Sequence, residues 1–369
     1  MSTPATPRLL RRLNAQLVLD AVRETGPARV AELVTRTGLS RPTVDAVAAD
    51  LVRLGWLEEI AAEPPRRGRP ARSLAFRADA GYVAGLDIGE VKVRAAVADL
   101  RGEIVAERVH AFTDDARLEQ VRQTAAATLK AAGLRRRDLR AACVGCTGAM
   151  DAKRGRVLFS TVFPAGFDLA SAMRRTMGPC VIENDCNLAV MAERWCGAAQ
   201  RLDDVVCVLA GERIGAGIVM GGRLMRGHMG AAGELSFVSA LDLEPGAHGV
   251  AQLIRQLSGE DAPDVVAAAA AGDAEAAAIV ERASRWAGHG VVTTAQIVNP
   301  ELVVIGGGVA RAGEVLLAPM RRLLEEAAPV PPQLVASPLA ERGPLLGAIR
   351  LALDDLELRL LDGLDEAAA

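Results

Sequence analysis

The chain has 369 residues, half of them apolar, which is long enough for roughly two or three globular domains with separate cores. It contains no apolar run of about 18 residues that would span a bilayer and no signal-peptide layout at its N-terminus, so we expect a cytoplasmic protein without a membrane partner. Residues 1–80 carry a net charge of +4 while the whole chain carries −3, a division typical of proteins that contact nucleic acid.

Three helices are predicted in the first 54 residues. The first covers residues 10–22, and its apolar side chains at helical spacing are expected to form one inner face. Those side chains are Leu10, Leu13, Leu17 and Ala21, flanked by Val18 and Val22. A second helix covers residues 28–35, and a third begins after Ser40 and runs to about residue 54. The inner face of the third helix comprises Val44, Val47, Leu51 and Leu54. Two helices joined by a glycine-containing turn have the layout of a helix-turn-helix.

The start of the third helix carries residues that we expect to contact DNA. Ser40 is a favourable N-cap, and Pro42 lies in the first turn, where its missing N–H costs little. Arg41, Thr43 and Asp45 point away from the apolar stripe, at the end of the helix that enters the major groove. Asp45 either accepts a hydrogen bond from a cytosine amine or interacts with the helix dipole, and the sequence does not separate these two roles.

Two short strands, predicted at residues 56–60 and 73–76, flank a basic loop. The central residues of this loop are Arg66, Arg67, Gly68 and Arg69. Arginines on an extended, proline-flanked segment fit the narrow minor groove of DNA, so the hairpin is interpreted as the wing of a winged helix-turn-helix. A solvated linker between domains has a similar composition and is the alternative interpretation.

From residue 81 onward, strand and helix signals alternate, as expected for an α/β fold. Residues 81–93 predict a strand, an acidic turn that begins at Asp87 and contains Gly89, and a second strand with Lys92 near its start. Further strands are predicted at residues 95–99, 104–108, 139–144, 205–209 and 302–305, and a helix at residues 118–132.

Six cysteines are scattered through this part of the chain. Cys143 and Cys146 form a CxxC pair, but they lie in an apolar, strand-like segment, and no second pair has a matching spacing. We therefore predict buried free thiols rather than a metal or redox site.

Four further motifs follow one another in the body. They are Glu183-Asn184-Asp185-Cys186-Asn187 leading to Glu193, Ile214-Gly215-Ala216-Gly217-Ile218, Gly230-Ala231-Ala232-Gly233-Glu234, and residues 299–309 with their triple glycine. With these motifs and the winged head, the chain resembles the ROK family, named for repressors, open reading frames and kinases, over nearly its whole length.

The resemblance implies an α/β fold class, with an N-terminal winged helix-turn-helix at residues 1–80 and a two-lobed, actin-like ATPase body of the ROK sugar-kinase type at residues 81–369. It also implies a hinge between the lobes near residues 180–186 and a helix at residues 345–360 that packs on the first lobe. A homo-oligomer, either a dimer or a dimer of dimers, is expected because paired recognition helices read paired half-sites.

The resemblance also implies roles for single residues. Asp185 matches the general base of the family kinases, and Asn184 and Glu234 match residues that hydrogen-bond sugar hydroxyls. The nucleotide loops match Asp87, Gly89, Lys92, Gly215, Gly217, Gly306, Gly307 and Gly308. From residue type alone, Asn184 and Asp185 also suit a turn or helix cap, and the triple glycine suits a tight strand-to-helix turn.

The phosphate loops depart from the pattern of the family kinases. Glu90 and Val91 stand where the first loop has a glycine and a hydroxyl residue, and Glu212 and Arg213 stand where the second has a hydroxyl residue and a glycine. Carboxylates beside a triphosphate repel it, so we expect no phosphoryl transfer and regard Asp185 as a vestigial base.

The segment that holds zinc in the family also differs. Phe237 occupies the position of a histidine that contacts both sugar and metal in the family, and residues 238–250 contain no cysteine. His248 alone does not make a four-ligand site, so we predict no zinc and no cofactor.

Three functions are compatible with these observations. The first is a DNA-binding transcriptional regulator, a repressor by resemblance, that binds double-stranded operator DNA and senses a sugar or related small metabolite. The second is an active sugar kinase that carries a DNA-binding head, and the third is a regulator whose body only dimerises. The altered phosphate loops argue against the second. The retained polar residues favour the first over the third, because buried polar groups without partners are costly.

Overall fold

The computed structural model describes residues 7–61, 72–238, 241 and 243–366. The head consists of α1 (Pro7–Thr25), α2 (Val30–Thr37), α3 (Arg41–Arg53) and the antiparallel strands β1 (Leu57–Ala61) and β2 (Arg72–Phe76). Gly38, with a φ of 69°, ends α2, and the Ser40 hydroxyl caps α3 by accepting a hydrogen bond from the Thr43 N–H at 3.3 Å. The predicted helix-turn-helix and hairpin are confirmed. The predicted wing residues Arg66, Arg67, Gly68 and Arg69 lie outside the described residues.

The inner face of α1 was predicted wrongly. Leu10, Leu13 and Leu17 are between 47% and 51% exposed. The buried side chains of this helix are instead Ala15, Val18, Leu19 and Val22. Because α1 carries apolar residues around much of its circumference, the helical period alone does not select the face that packs. In α3 the predicted inner face is confirmed at Val44, Val47 and Leu51, which are all buried.

The first lobe is built on a five-stranded mixed sheet in the order β5-β4-β3-β6-β9. Its elements are β3 (Tyr82–Ile88), β4 (Lys92–Asp99), β5 (Ile104–Ala111), α4 (Arg117–Ala131), β6 (Leu139–Cys146), β7 (Met150–Asp151), β8 (Arg156–Val157), α5 (Leu169–Met177) and β9 (Val181–Asn184). β3 pairs antiparallel with β4 and parallel with β6. β3 and β6 are apolar along almost their whole length, because side chains pack on both faces of the sheet. Cys143 and Cys146 are buried in β6, as predicted.

The second lobe repeats this strand arrangement in the order β12-β11-β10-β13-β14. Its elements are α6 (Asp185–Cys196), β10 (Val205–Ala210), β11 (Ile214–Met220), β12 (Arg223–Leu224), α7 (Val250–Ser258), α8 (Ala262–Ala270), α9 (Ala274–Val298), β13 (Leu302–Gly306), α10 (Glu314–Ala327) and β14 (Gln333–Ala336). The predicted fold class, a helix-turn-helix head on a two-lobed α/β body, is confirmed. Among the helices in the described ranges, none is long and apolar enough to cross a membrane.

The chain passes between the lobes at two places. At the first, β9 ends at Asn184 and α6 begins, and α6 packs against β10 and β11. At the second, a 3₁₀ turn at residues 340–342 leads into the last helix, α11 (Gly343–Glu366). α11 packs back across β3, β4 and β6, which confirms the predicted C-terminal helix on the first lobe. Gly347 permits close contact with α6, because a Cβ there would lie 1.9 Å from the Leu188 carbonyl oxygen.

The head packs on the body through α11. Glu357 of α11 is only 8% exposed, and its carboxylate accepts hydrogen bonds from Arg23 and, at 3.3 Å, from Gln16, both on α1. The Arg23 guanidinium also lies 4.6 Å from the ring centroid of Phe76 in the hairpin. Apolar side chains of α1, the hairpin and α11 belong to one hydrophobic core, so the head and the first lobe share buried surface.

Candidate ligand-binding site

A cavity of about 590 Å³ lies between the two lobes. It is lined by most residues of the sequence motifs, namely Asp87, Gly89, Glu90, Val91, Lys92, Asn184, Asp185, Glu212, Arg213, Gly215, Glu234, Gly307 and Gly308. Gly217 and Gly306 do not line the cavity. Their lack of a side chain instead allows neighbouring elements to pack closely. A Cβ on Gly217 would lie 2.0 Å from the Cys186 carbonyl oxygen, and one on Gly306 would lie 3.0 Å from the Leu209 side chain. Motifs far apart in the chain therefore meet where strand ends of both sheets face the gap between the lobes, a common place for ligand sites in α/β proteins.

Asp87 and Asp185 form the acidic centre of the cavity. Burial, together with the negative charge of Asp185, raises the pKa of Asp87 to about 7. Burial also raises the pKa of Asp185, although its carboxylate accepts hydrogen bonds from the Cys186 N–H at 2.9 Å and from the Thr147 hydroxyl. A carboxyl group that is partly protonated near neutral pH both donates and accepts hydrogen bonds, which suits the binding of hydroxyl groups.

Asn184 is the N-cap of α6, so the helix-cap role that the sequence left open is the one observed. Its Oδ1 accepts a hydrogen bond from the Asn187 N–H at 3.0 Å. Its Nδ2 donates to the Gly148 carbonyl oxygen at 2.8 Å and to Asp185 Oδ1 at 3.2 Å. Since the polar atoms of Asn184 are already hydrogen-bonded within the protein, its main contribution to the cavity is to hold Asp185 in position.

Glu234 reaches the same space from the second lobe. The preceding Gly233 has a φ of 87°, and a Cβ there would lie 1.8 Å from a backbone oxygen of β11, so only glycine brings this loop close enough. Burial and the charge of Asp185 raise the pKa of Glu234 to about 7, against the opposing effect of Arg213. Three carboxyl groups with raised pKa values thus share one cavity, a feature that is enriched at functional sites.

The half of the cavity expected to hold phosphate groups contains a carboxylate of the protein itself. Glu341 Oε1 lies 2.8 Å from an Arg94 nitrogen and 3.3 Å from one of Arg311, and its Oε2 lies 3.5 Å from Lys92 Nζ. Burial raises the pKa of Glu341, but the three cations outweigh burial and hold this pKa below its usual range. The predicted phosphate-loop lysine is therefore engaged by an internal anion.

Glu212 in this half is paired with Arg255 of α7. Both guanidinium Nη atoms donate to its carboxylate, one of them at 3.0 Å, and this hydrogen bonding raises the pKa of Arg255. Arg213, which also lines the cavity, donates to the Ser236 hydroxyl at 2.9 Å. Because its charge is balanced within the protein, Glu212 repels an incoming phosphate less than the sequence suggested.

The segment after Glu234 carries an exposed aromatic side chain, Phe237. Phe237 is 65% exposed and meets Phe159 edge to face, with ring centroids 5.1 Å apart. In the part of the chain that the structure describes, no group of three or more His, Cys, Asp or Glu side chains is placed to hold a metal ion. Residues 239, 240 and 242 of this segment lie outside the described part.

The residues expected to contact DNA lie together on the surface of the head. The side chains of Arg41 and Asp45 are 75% and 54% exposed and lie 3.8 Å apart. Ser40 and Pro42 are exposed, and Thr43 is half-buried. An exposed ion pair of this kind is worth little, so Arg41 and Asp45 can exchange it for contacts with base edges at low cost.

Several cavity residues were not predicted, namely Arg94, Thr147, Arg255, Arg311 and Glu341. Arg94 follows Lys92 by two positions on β4 and therefore shares its face, but the predicted segments, residues 81–93 and 95–99, left it out. The other four come from separate segments that only the tertiary fold brings together.

The fold and the cavity define a two-lobed, kinase-like α/β protein with a helix-turn-helix head. The chain belongs to the ROK family, which it matches over residues 83–355, and residues 4–60 match the IclR helix-turn-helix domain.

Similarity to individual proteins divides between kinases and repressors. The glucokinase of Thermotoga maritima is 31% identical over 244 residues, which cover 56% of this chain and 76% of the glucokinase. The xylose repressor of Caldicellulosiruptor bescii is 21% identical over 387 residues, which cover 94% of this chain and 97% of the repressor. The crystal structure of a ROK family transcriptional regulator, a homologue of the Escherichia coli MLC protein, has a TM-score of 0.77 at 22% identity and covers 95% of this chain and 99% of its own. The similarity to these two regulators thus includes the head.

Proposed function

We propose that this protein is a transcriptional repressor that binds operator DNA through its head and senses a sugar or a related polyhydroxylated metabolite in the cavity of its body. The observation that carries the proposal is the presence of a helix-turn-helix head and a ROK body in one chain with a shared hydrophobic core. The similarity to a xylose repressor over nearly the full length of both chains supports it.

DNA recognition is assigned to the head, residues 1–80. The start of α3 would enter the major groove and present Ser40, Arg41, Pro42, Thr43 and Asp45 to the DNA. The basic loop at residues 66–69 would contact the minor groove and add affinity that depends little on sequence. Two heads in a homodimer would read paired half-sites.

Ligand recognition is assigned to Asp185 and Glu234, with Asn184 as a positioning residue. These groups are fixed by α6 and by the Gly233 loop, and fixed polar groups discriminate strongly against a ligand that leaves one of them unpaired. The body, residues 81–369, would close on the ligand about the segment at residues 180–186.

Phosphoryl transfer is not part of the proposed function. This reaction depends on positioning a triphosphate and neutralising its charge. In the described structure Lys92 and Arg94 form ion pairs with Glu341. Glu90 and Val91 line the cavity at the position of the first phosphate loop. Asp185 is therefore a base without a placed phosphoryl group to act on.

A path of packed helices connects the cavity to the head. Asp185 begins α6, α6 packs along α11, and α11 carries Glu357, which binds Arg23 of α1. A ligand that changes the separation of the lobes would shift α6 against α11 and alter the position of the head. This coupling would release DNA when the effector binds.

A sugar kinase with a DNA-binding head is the second candidate. The observation that favours it is the Asp185 carboxyl group, which has a raised pKa and lies beside Asp87 in the cavity. The similarity of part of the chain to a glucokinase points the same way. In a kinase of this kind, Glu341 would have to release the cations with which it forms ion pairs, so that they could bind phosphate groups.

The test uses the full chain. A random duplex library is selected for binding, and fluorescence anisotropy on the selected operator is then measured with a panel of sugars and sugar phosphates. We expect one compound class to release the DNA, and Asp185→Asn and Glu234→Gln to abolish this response while DNA affinity is retained. If no compound acts and both variants regulate as the wild type does, a body that only dimerises is the better explanation.

A coupled ATPase assay with the same sugars addresses the kinase. We expect the rate to stay at background in the wild type. ATP turnover that depends on sugar and is lost in Asp185→Asn would contradict the sensor proposal and establish the kinase.

A further inference from the structure

An aromatic and cationic cluster lies at the edge of the cavity. Phe159 comes from the first lobe, between β8 and α5, and Phe237 comes from the second lobe, shortly after Glu234. The Arg213 guanidinium lies 5.7 Å from the ring centroid of Phe159 and 6.0 Å from that of Phe237. These three side chains, named here the aromatic cluster, bridge the gap between the lobes.

The two rings of the aromatic cluster are unusually open to solvent. Phe237 is 65% exposed and Phe159 is 37% exposed, although the chain has only six phenylalanines. Large apolar side chains grouped on a surface next to a cleft mark a place where another group binds. In the edge-to-face contact the edge of one ring meets the face of the other, so the surface open to a further ring is the exposed remainder, which is larger on Phe237.

The aromatic cluster is continuous with the carboxyl groups of the cavity. Arg213 lines the cavity, and its charge acts on Glu234. On the other side, Gly148 packs directly on Phe159, since a Cβ there would lie 2.2 Å from the Phe159 carbonyl oxygen. The Gly148 carbonyl oxygen in turn accepts the Asn184 amide at 2.8 Å. A single ligand of modest size can therefore contact both the carboxyl groups and the rings.

We propose that Phe159, Phe237 and Arg213 form a subsite for an aglycone, so that the effector is a glycoside with an aromatic or flat apolar group rather than a free sugar. The proposal rests on the proposed function, because the sugar part would lie at Asp185 and Glu234. The apolar group would stack on Phe237 and lie beside the Arg213 guanidinium, and both contacts are favourable for aromatic rings.

The position of the aromatic cluster also gives the subsite a role in the response. Phe159 and Phe237 belong to different lobes and touch each other, so a ring stacked on Phe237 beside this contact would stabilise one separation of the lobes. A free sugar would contact the carboxyl groups without this second constraint. The aglycone would thus determine both specificity and the extent of closure.

The test is calorimetric titration of the full chain with matched methyl and phenyl glycosides of glucose, galactose, xylose and N-acetylglucosamine. In the sugar series that binds, we expect the phenyl glycoside to bind about tenfold more tightly than the methyl glycoside. This ratio should fall to about one in Phe237→Ala, while the affinity for the methyl glycoside changes by less than about twofold. Ile297→Ala, which removes an exposed side chain of α9, is the matched control and should keep the wild-type ratio.

Equal affinity of the wild type for methyl and phenyl glycosides would overturn the aglycone subsite and leave sugar sensing intact. Equal loss of both affinities in Phe237→Ala would also overturn it, because the rings would then serve only as a contact between the lobes. Absence of binding by every glycoside and every free sugar would overturn the proposed function as well. If Phe237→Ala does not fold, Arg213→Lys provides the test, since lysine keeps the charge but lacks the planar group that stacks on a ring.

Discussion

Replacing Asp87 by asparagine should stabilise the protein increasingly as the pH rises. Asp87 is 7% exposed, and burial with the charge of Asp185 raises its pKa from 3.8 to about 7. A carboxyl group whose pKa is higher in the folded state binds more protons in that state between the two values. The free energy of unfolding therefore falls as the pH rises from about 4 to about 7, and it stays low above this range. Asparagine cannot ionise, so this loss disappears in Asp87→Asn.

The size of the effect follows from the shift in pKa. One pKa unit corresponds to about 1.4 kcal/mol, so a change from 3.8 to about 7 sets a ceiling of roughly 4 kcal/mol at pH 8. About 3 kcal/mol of this ceiling develops between pH 4.5 and pH 8. Water in the cavity screens the charge, so about half of that difference is expected. At about 2–4 °C for each kcal/mol, the Tm advantage of the variant should grow by roughly 3–6 °C over this range.

Thermal melting of wild type and variant between pH 4.5 and pH 8 measures this effect. Asp79→Asn is the matched control, because the Asp79 side chain is 80% exposed and its replacement should leave the Tm nearly unchanged at every pH. A Tm difference between Asp87→Asn and the wild type that is constant with pH, or that grows toward acidic pH, would refute the reasoning.

Three further outcomes are expected. Gly347→Ala should destabilise the protein by about 1–3 kcal/mol, measured by thermal melting, because its Cβ would lie 1.9 Å from a backbone oxygen of α6. Glu357→Gln should weaken effector-driven release of DNA by about fivefold or more in anisotropy, since it removes the charge that binds Arg23 of the head. Arg41→Ala should change the preferred sequence in a binding selection, whereas replacing the three wing arginines by alanine should lower affinity for all sequences and flatten its salt dependence.

Two of these outcomes have a control within the chain. Gly343→Ala lies on the same helix, where the Cβ would be 3.6 Å from Ala189, and equal melting of the two glycine variants would contradict the close contact of α6 and α11. Asp355→Asn changes a neighbouring charge that binds Arg359 instead of the head, and a wild-type response in Glu357→Gln would show that the signal does not pass through this ion pair. An unchanged sequence preference in Arg41→Ala would remove α3 from base recognition.

The elements that were predicted from the residues follow from local pattern, whereas α5 and the helices α7 to α10 of the second lobe were not predicted. The buried strands β3, β6, β10 and β13 are apolar runs bounded by turn residues, and α3 has a cap, an early proline and one clear apolar face. The buried face of α1, in contrast, does not follow from local pattern. This helix carries two adjacent apolar faces, and the choice of Val18 and Leu19 over Leu13 and Leu17 depends on what packs against the helix, which the sequence of the helix does not contain.

The polar residues Asn184, Asp185 and Glu234 of the candidate site were predictable because they lie within continuous motifs. The ion pairs formed by the charged residues of the cavity were not predictable. Glu341 meets Arg94 and Arg311 across segments more than 20 residues apart, and Arg255 reaches Glu212 from a helix whose position is set by the second lobe. No local sequence pattern indicates that charges on distant segments pair with each other. For this reason the predicted repulsion of phosphate by Glu212 was too strong, and the ion pairs of Glu341 were not predicted.

The distribution of charges in the cavity supports the proposal that its ligand is neutral. In the half with the altered phosphate loops, Lys92, Arg94 and Arg311 hold the half-buried Glu341 carboxylate in its ionised form, and a phosphate bound there would have to displace it from these cations. In the other half of the cavity, Asp87, Asp185 and Glu234 have raised pKa values, because burial removes the water that would solvate their charged forms. Hydroxyl groups of a ligand can donate hydrogen bonds to these carboxylates and replace the lost water without bringing in a charge. In the proposed function, hydroxyl groups would therefore bind among Asp87, Asp185 and Glu234 without bringing in a charge, whereas a triphosphate would compete with Glu341 for Lys92 and Arg94.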